Sequence, residues 1–73
     1  MSAKDMVKII RGFKTRVRLA KSALTEQEFE TSLNDIYRKY RTTLRTLIFC
    51  GMITYEQTEY IVNKLNDIYN NYK

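Results

Sequence analysis

Lysine and arginine supply the only chemistry that repeats at a regular spacing in this chain. Lys4, Lys8, Arg11 and Arg18 share one side of a helical wheel, with Lys14 and Lys21 beside them. Arg38, Arg41 and Arg45 follow the same three- and four-residue steps further on, and Lys39 lies among them with no acid between. Cationic side chains in rows of this kind suit a phosphate backbone, because each one displaces a condensed counterion. Nucleophilic and metal chemistry lack the residues they need. There is no histidine, so no Ser-His-Asp or Cys-His relay can be built. One cysteine and no histidine leave no usual Cys/His metal site, and two glycines leave no phosphate-cradling loop. We expect no enzyme, no cofactor and no metal.

The charge is unevenly placed. The chain has 13 basic and 8 acidic residues, a net charge of +5. Up to Leu24, seven basic residues meet Asp5 alone, whereas the remainder holds six basic and seven acidic groups. A solubilising face usually mixes signs; this one barely does. The expected nucleic-acid contacts are Lys4, Lys8, Arg11, Lys14, Arg18, Arg38, Arg41 and Arg45, which an antiparallel hairpin would join into one patch, with weak sequence specificity. An acidic protein surface is the alternative complement.

The elements that must carry these residues are helices. Met6, Ile10, Phe13, Val17, Ala20 and Leu24 recur at alternating steps of four and three. Phe29, Leu33, Ile36, Tyr37, Tyr40, Leu44, Leu47 and Ile48 form a second stripe, and Thr58, Ile61, Val62, Leu65, Ile68, Tyr69 and Tyr72 a third. Period-two alternation is nowhere sustained. Thr25-Glu26-Gln27-Glu28 has the form of a capping box, and Thr54-Tyr55-Glu56-Gln57 repeats it with glutamine third. Gly51 stands where a left-handed residue would close the preceding helix. The expected helices span roughly 4–23, 26–50 and 55–72. Short connections make neighbours antiparallel, so the chain is one all-α domain, an up-down-up three-helix bundle.

A chain of 73 residues buries little surface, and dimerisation would relieve the shortage. Val7, Leu19, Phe49 and Tyr60 fall away from the apolar stripes and are the expected partner or dimer surface. Tyr37, Tyr40, Tyr69 and Tyr72 sit at core positions, leaving only Tyr55 or Tyr60 to stack on bases. The longest apolar run, Leu47-Ile48-Phe49-Cys50, is too short for a membrane span. A lone cysteine suits a reducing, cytoplasmic setting. Residues with A/T-rich codons outnumber those with G/C-rich codons, as in low-GC bacteria and their phages or plasmids. The alternative to nucleic-acid binding is therefore a phage- or plasmid-encoded modulator of a host protein.

Two further patterns are present. Leu33-Asn34-Asp35-Ile36-Tyr37 recurs as Leu65-Asn66-Asp67-Ile68-Tyr69, the mark of one amphipathic solution used twice or of a duplicated hairpin. Gly51-Met52-Ile53-Thr54-Tyr55-Glu56 resembles the turn of the short helical hairpins called SHOCT domains, as does Leu24-Thr25-Glu26-Gln27-Glu28-Phe29. That resemblance implies a helical hairpin and no function. Cys50-Gly51-Met52 also resembles the central turn of a helix-turn-helix. The helix after it begins Tyr55-Glu56-Gln57-Thr58-Glu59, which would bring two carboxylates to the DNA. Helix 3 is a poor recognition helix.

Overall fold

Capping side chains set the boundaries of all three helices in the computed structural model, which describes residues 1–73. Helix α1 runs Ala3–Ala23, α2 Glu26–Phe49 and α3 Tyr55–Tyr72. Ser2 caps α1: its hydroxyl oxygen accepts the Asp5 N–H at 3.1 Å. This places the start one residue earlier than the apolar periodicity does. Thr25 and Glu28 form the first capping box. The Thr25 N–H donates to Glu28 Oε1 at 3.1 Å, and the Glu28 N–H donates to Thr25 Oγ1 at 3.3 Å. Thr54 and Gln57 form the second, both bonds at 3.1 Å. Each box satisfies two amide groups that a helix start would otherwise leave free.

The α2–α3 connection is closed by Gly51, whose φ is +74°. The Gly51 N–H donates to the Ile48 carbonyl at 3.0 Å and the Met52 N–H to the Leu47 carbonyl at 2.9 Å. That pair of bonds is a Schellman motif. It ends α2 at Phe49 rather than at residue 50, with Cys50 as the half-helical cap.

The three helices pack against one another as an up-down-up bundle, 38 Å by 20 Å by 16 Å. Its core is Phe13, Val17, Phe29, Leu33, Leu44, Ile53, Ile61 and Leu65. Seven of these lie on the apolar stripes. Ile53 is the exception: it sits in the turn, where no period marks it, and is buried. Leu24 departs the other way. As the extended cap of α1 it turns out of the stripe and is 37% exposed. Phe13 is enclosed edge-on by the Tyr40 and Tyr37 rings, at 5.2 and 6.3 Å between centroids. Gly12 allows that approach, since a β-carbon there would stand 3.1 Å from the Tyr40 hydroxyl. No polar side chain is buried.

The duplicated pentapeptides face each other across the antiparallel α2–α3 pair. The Tyr37 hydroxyl donates to Asn66 Oδ1, and the Tyr69 hydroxyl donates to Asn34 Oδ1. The two tyrosine rings lie 4.8 Å apart. Each copy thus supplies the donor for the other copy's acceptor, a local pseudo-twofold arrangement that fixes the register of α3 on α2. No helix is long and apolar enough to cross a membrane.

Candidate nucleic-acid interface

Packing consumes one face of each helix, so every charged residue is left outside. Lys4, Lys8, Arg11, Lys14, Arg18, Arg38, Arg41 and Arg45 are all exposed. Of the 13 basic side chains, only Arg38 has a carboxylate within salt-bridge range, Asp35 at 3.9 Å. An exposed pair of that length contributes little to stability. None of the basic side chains of α1 has a carboxylate within salt-bridge range.

The structure does not bring the eight residues into one patch. Arg11 and Lys14 border the α1–α3 groove together with Val7, Ile10, Tyr60 and Lys64. Lys64, outside the expected contacts, adds a third cation to Arg11 and Lys14 in this groove, with its Nζ 5.6 Å from the Tyr60 ring centre. Arg38, Arg41 and Arg45 line a shallow groove with Asn34, Tyr37 and Thr42 on the α3 side of α2. Arg41 and Arg45 also border the α2–α3 groove with Ile48, Tyr55, Thr58 and Val62. Helix α3 thus stands between the arginine row of α2 and the basic face of α1.

At the α1–α2 junction, where an antiparallel hairpin places the two basic halves side by side, the cations are Arg16 and Lys39. Neither is among the expected contacts, since neither continues a three- and four-residue row. Arg16 lies over the Tyr40 ring with its guanidinium carbon 5.9 Å from the ring centre. Both are exposed, and they share that groove with Ile9, Tyr40, Thr43 and Leu44.

The four apolar candidates separate as well. Val7 and Tyr60, 46% and 49% exposed, meet in the α1–α3 groove. Leu19 is twelve residues further along α1, about 18 Å by helical rise, and Phe49 ends α2. Neither borders that groove. Met52 and Tyr55 are exposed apolar residues that periodicity did not single out as a surface.

Four of the eight acidic groups lie in the first turn of a helix. Glu26 and Glu28 lie in the first turn of α2 and Glu56 in that of α3, where they complement the helix dipole. The Thr25 backbone N–H and hydroxyl, both donating to the Glu28 carboxylate, hold its pKa below the ordinary value. Glu56 at the start of α3 makes that terminus a poor phosphate site, as its charge predicts. The chain matches no family model, and comparison with curated proteins and with solved structures found no match. Its likeness to the SHOCT turn stays at the level of shared capping residues.

Proposed function

We propose that this chain is a small, non-catalytic nucleic-acid-binding regulatory protein that contacts phosphates through the exposed basic face of α1. One observation carries this. Lys4, Lys8, Arg11, Lys14 and Arg18 all stand in solvent on one helix without a carboxylate partner, and Lys64 extends the face across the groove. Keeping so many like charges together repels the compact state and is relieved when phosphates replace the counterions. The arginine row of α2 supplies a second set of contacts on another side of the bundle. Sequence specificity is low, since no helix start is fit to read base edges. The setting is a reducing cell interior, with Cys50 a free, exposed thiol.

A gel-shift series with generic duplex and single strands tests this. Micromolar binding at ~100 mM salt, weakening steeply as salt rises, is the expected result. No measurable binding to either form would remove the proposal.

A second reading has one observation in its favour. Val7 and Tyr60 are exposed side by side within a basic groove, an apolar anchor with charges around it. In that reading the protein is a phage- or plasmid-encoded modulator of a host protein with an acidic surface. The same pair is the proposed contact of a homodimer; sedimentation at micromolar concentration, finding twice the chain mass or only one, decides that.

A further inference from the structure

We propose that the corner where α2 turns into α3, carrying Arg41, Arg45, Phe49 and Tyr55, receives a single-stranded nucleic acid. Its bases stack on the two aromatic rings and its phosphates lie against the two guanidinium groups. The proposal rests on the nucleic-acid reading above and adds a strand form and a second surface to it.

Phe49 is 92% exposed and Tyr55 79%, the two most exposed large apolar side chains in the protein. Neither position is a frayed end. Phe49 closes the last turn of α2, pinned by the Schellman bonds at Gly51 and Met52, and Tyr55 opens α3 directly after its capping threonine. With the backbone under each ring fixed, only the side-chain torsions remain to be ordered on binding. Arg45 precedes Phe49 by one helical turn on the same face, and Arg41 and Arg45 share a groove with Tyr55. That groove has no acidic residue in its lining, and Glu56, exposed beside Tyr55 at the start of α3, confines the phosphates to the arginine side of the corner. Met52, 61% exposed, lies in the turn between the two rings in sequence.

The pairing of rings with arginines selects the strand form. In a duplex the faces of the bases are already stacked, and its phosphates need only cations. An unpaired strand exposes base faces, which aromatic rings take up with little regard to sequence, while neighbouring arginines hold the backbone. Helix α1 carries cations with one tyrosine at its margin and serves either form. The corner carries rings and cations together and serves single strands.

The chain has no tryptophan, so Phe49→Trp creates a sole reporter on the surface, outside the core. Short oligo(dT) and a generic duplex of equal length are titrated into this variant, into wild type, and into Phe49→Ala/Tyr55→Ala at ~100 mM salt. Stacking predicts quenching of the tryptophan by oligo(dT). It also predicts that the double alanine variant loses roughly tenfold or more in oligo(dT) affinity with duplex affinity unchanged. Equal oligo(dT) affinity in wild type and the alanine variant overturns the corner assignment, and leaves the basic-face reading intact if both still bind. Binding of duplex alone by wild type does the same. Failure of wild type to bind either form removes the basic-face reading and the corner with it. A blue-shifted tryptophan on anionic phosphatidylglycerol vesicles, with no quenching by oligo(dT), overturns the proposal in favour of a lipid surface.

Discussion

The hydroxyl of Tyr37 on α2 donates to the side-chain carbonyl of Asn66 on α3. The residue at the matching place in the other pentapeptide, Tyr69, donates to Asn34 in return. A duplicated sequence has become a pair of crossed hydrogen bonds. Removing one hydroxyl breaks one half of the clasp and leaves the ring packing. We expect Tyr37→Phe to destabilise the bundle by about 1 kcal/mol, and Tyr69→Phe, whose bond is exposed, by less. In a double-mutant cycle, Tyr37→Phe and Asn66→Ala together should cost clearly less than the sum of the two alone. Additive effects in urea denaturation would show that the bond does not couple the helices.

The α2–α3 turn makes two separable demands. Thr54→Ala removes the acceptor for the Gln57 N–H and should cost ~1 kcal/mol. Gly51→Ala meets no neighbour within 4 Å, yet holds a φ of +74° that an L side chain resists, and should cost about 1 kcal/mol or more. Because a β-carbon has open space there, the whole loss is conformational. Gly51→Asn, which tolerates the left-handed region better, should recover part of it in chemical denaturation. Equal losses for alanine and asparagine would point to a packing role instead.

Glu28 gives stability a definite pH dependence. Its pKa is lowered in the folded state by the Thr25 backbone N–H and then the Thr25 hydroxyl. A depressed carboxylate stabilises the fold fully above its unfolded value, near 4.5. That contribution is lost as pH falls through the lower folded value. Thermal melts taken downward through this range should therefore fall more for wild type than for Glu28→Gln, which has no proton to take up. Parallel acid limbs for the two proteins would contradict the bond.

Much of this architecture is legible in the sequence. Caps at Thr25 and Thr54 are local chemistry, and seven of the eight core residues lie on stripes that a wheel reveals. What escaped detection depends on neighbours far apart in sequence. Ile53 is buried because the Gly51 turn folds it under the bundle, and a turn has no period to betray it. Gln57 reads as an ordinary box residue, but its Nε2 also donates to the Met1 carbonyl at 2.6 Å. A glutamate there would complete the box and could not make that bond. The basic residues were recognisable by type and their exposure by phase. Their division among three grooves was not, since it depends on how each helix is rotated against two others. Arg16 and Lys39 reach a seam that no single wheel contains.

The core must tolerate little loss in a bundle this small. Leu44 is 1% exposed and sits beside the α1–α2 groove. Leu44→Ala should cost about 2–5 kcal/mol, enough to unfold most of the population in a domain of this size. Phe49→Ala, at the other extreme of exposure, should leave the melting temperature within about a degree or two of wild type. A large drop for Phe49→Ala would mean that its ring is covered in solution, most simply by a second copy, and sedimentation of the same samples would reveal it.

The basic face of α1 is tested by reversing its charge rather than by neutralising it. Lys8→Glu, Arg11→Glu and Arg18→Glu together change three exposed side chains, none of which packs in the core. Helicity should survive, and because none of the three has a carboxylate within salt-bridge range, no ion pair is lost. Stability should stay level or rise slightly, because like-charge repulsion along α1 is reduced. Affinity for duplex should fall steeply, and the slope of log affinity against log salt should flatten by roughly one unit for each contact removed. The control is Arg38→Glu, Arg41→Glu and Arg45→Glu, an equal change of charge on the other side of α3. If net charge alone attracted the nucleic acid, the two triple variants would lose duplex affinity equally. If α1 holds the phosphates, the α1 variant loses far more, while the α2 variant loses chiefly the single-stranded form.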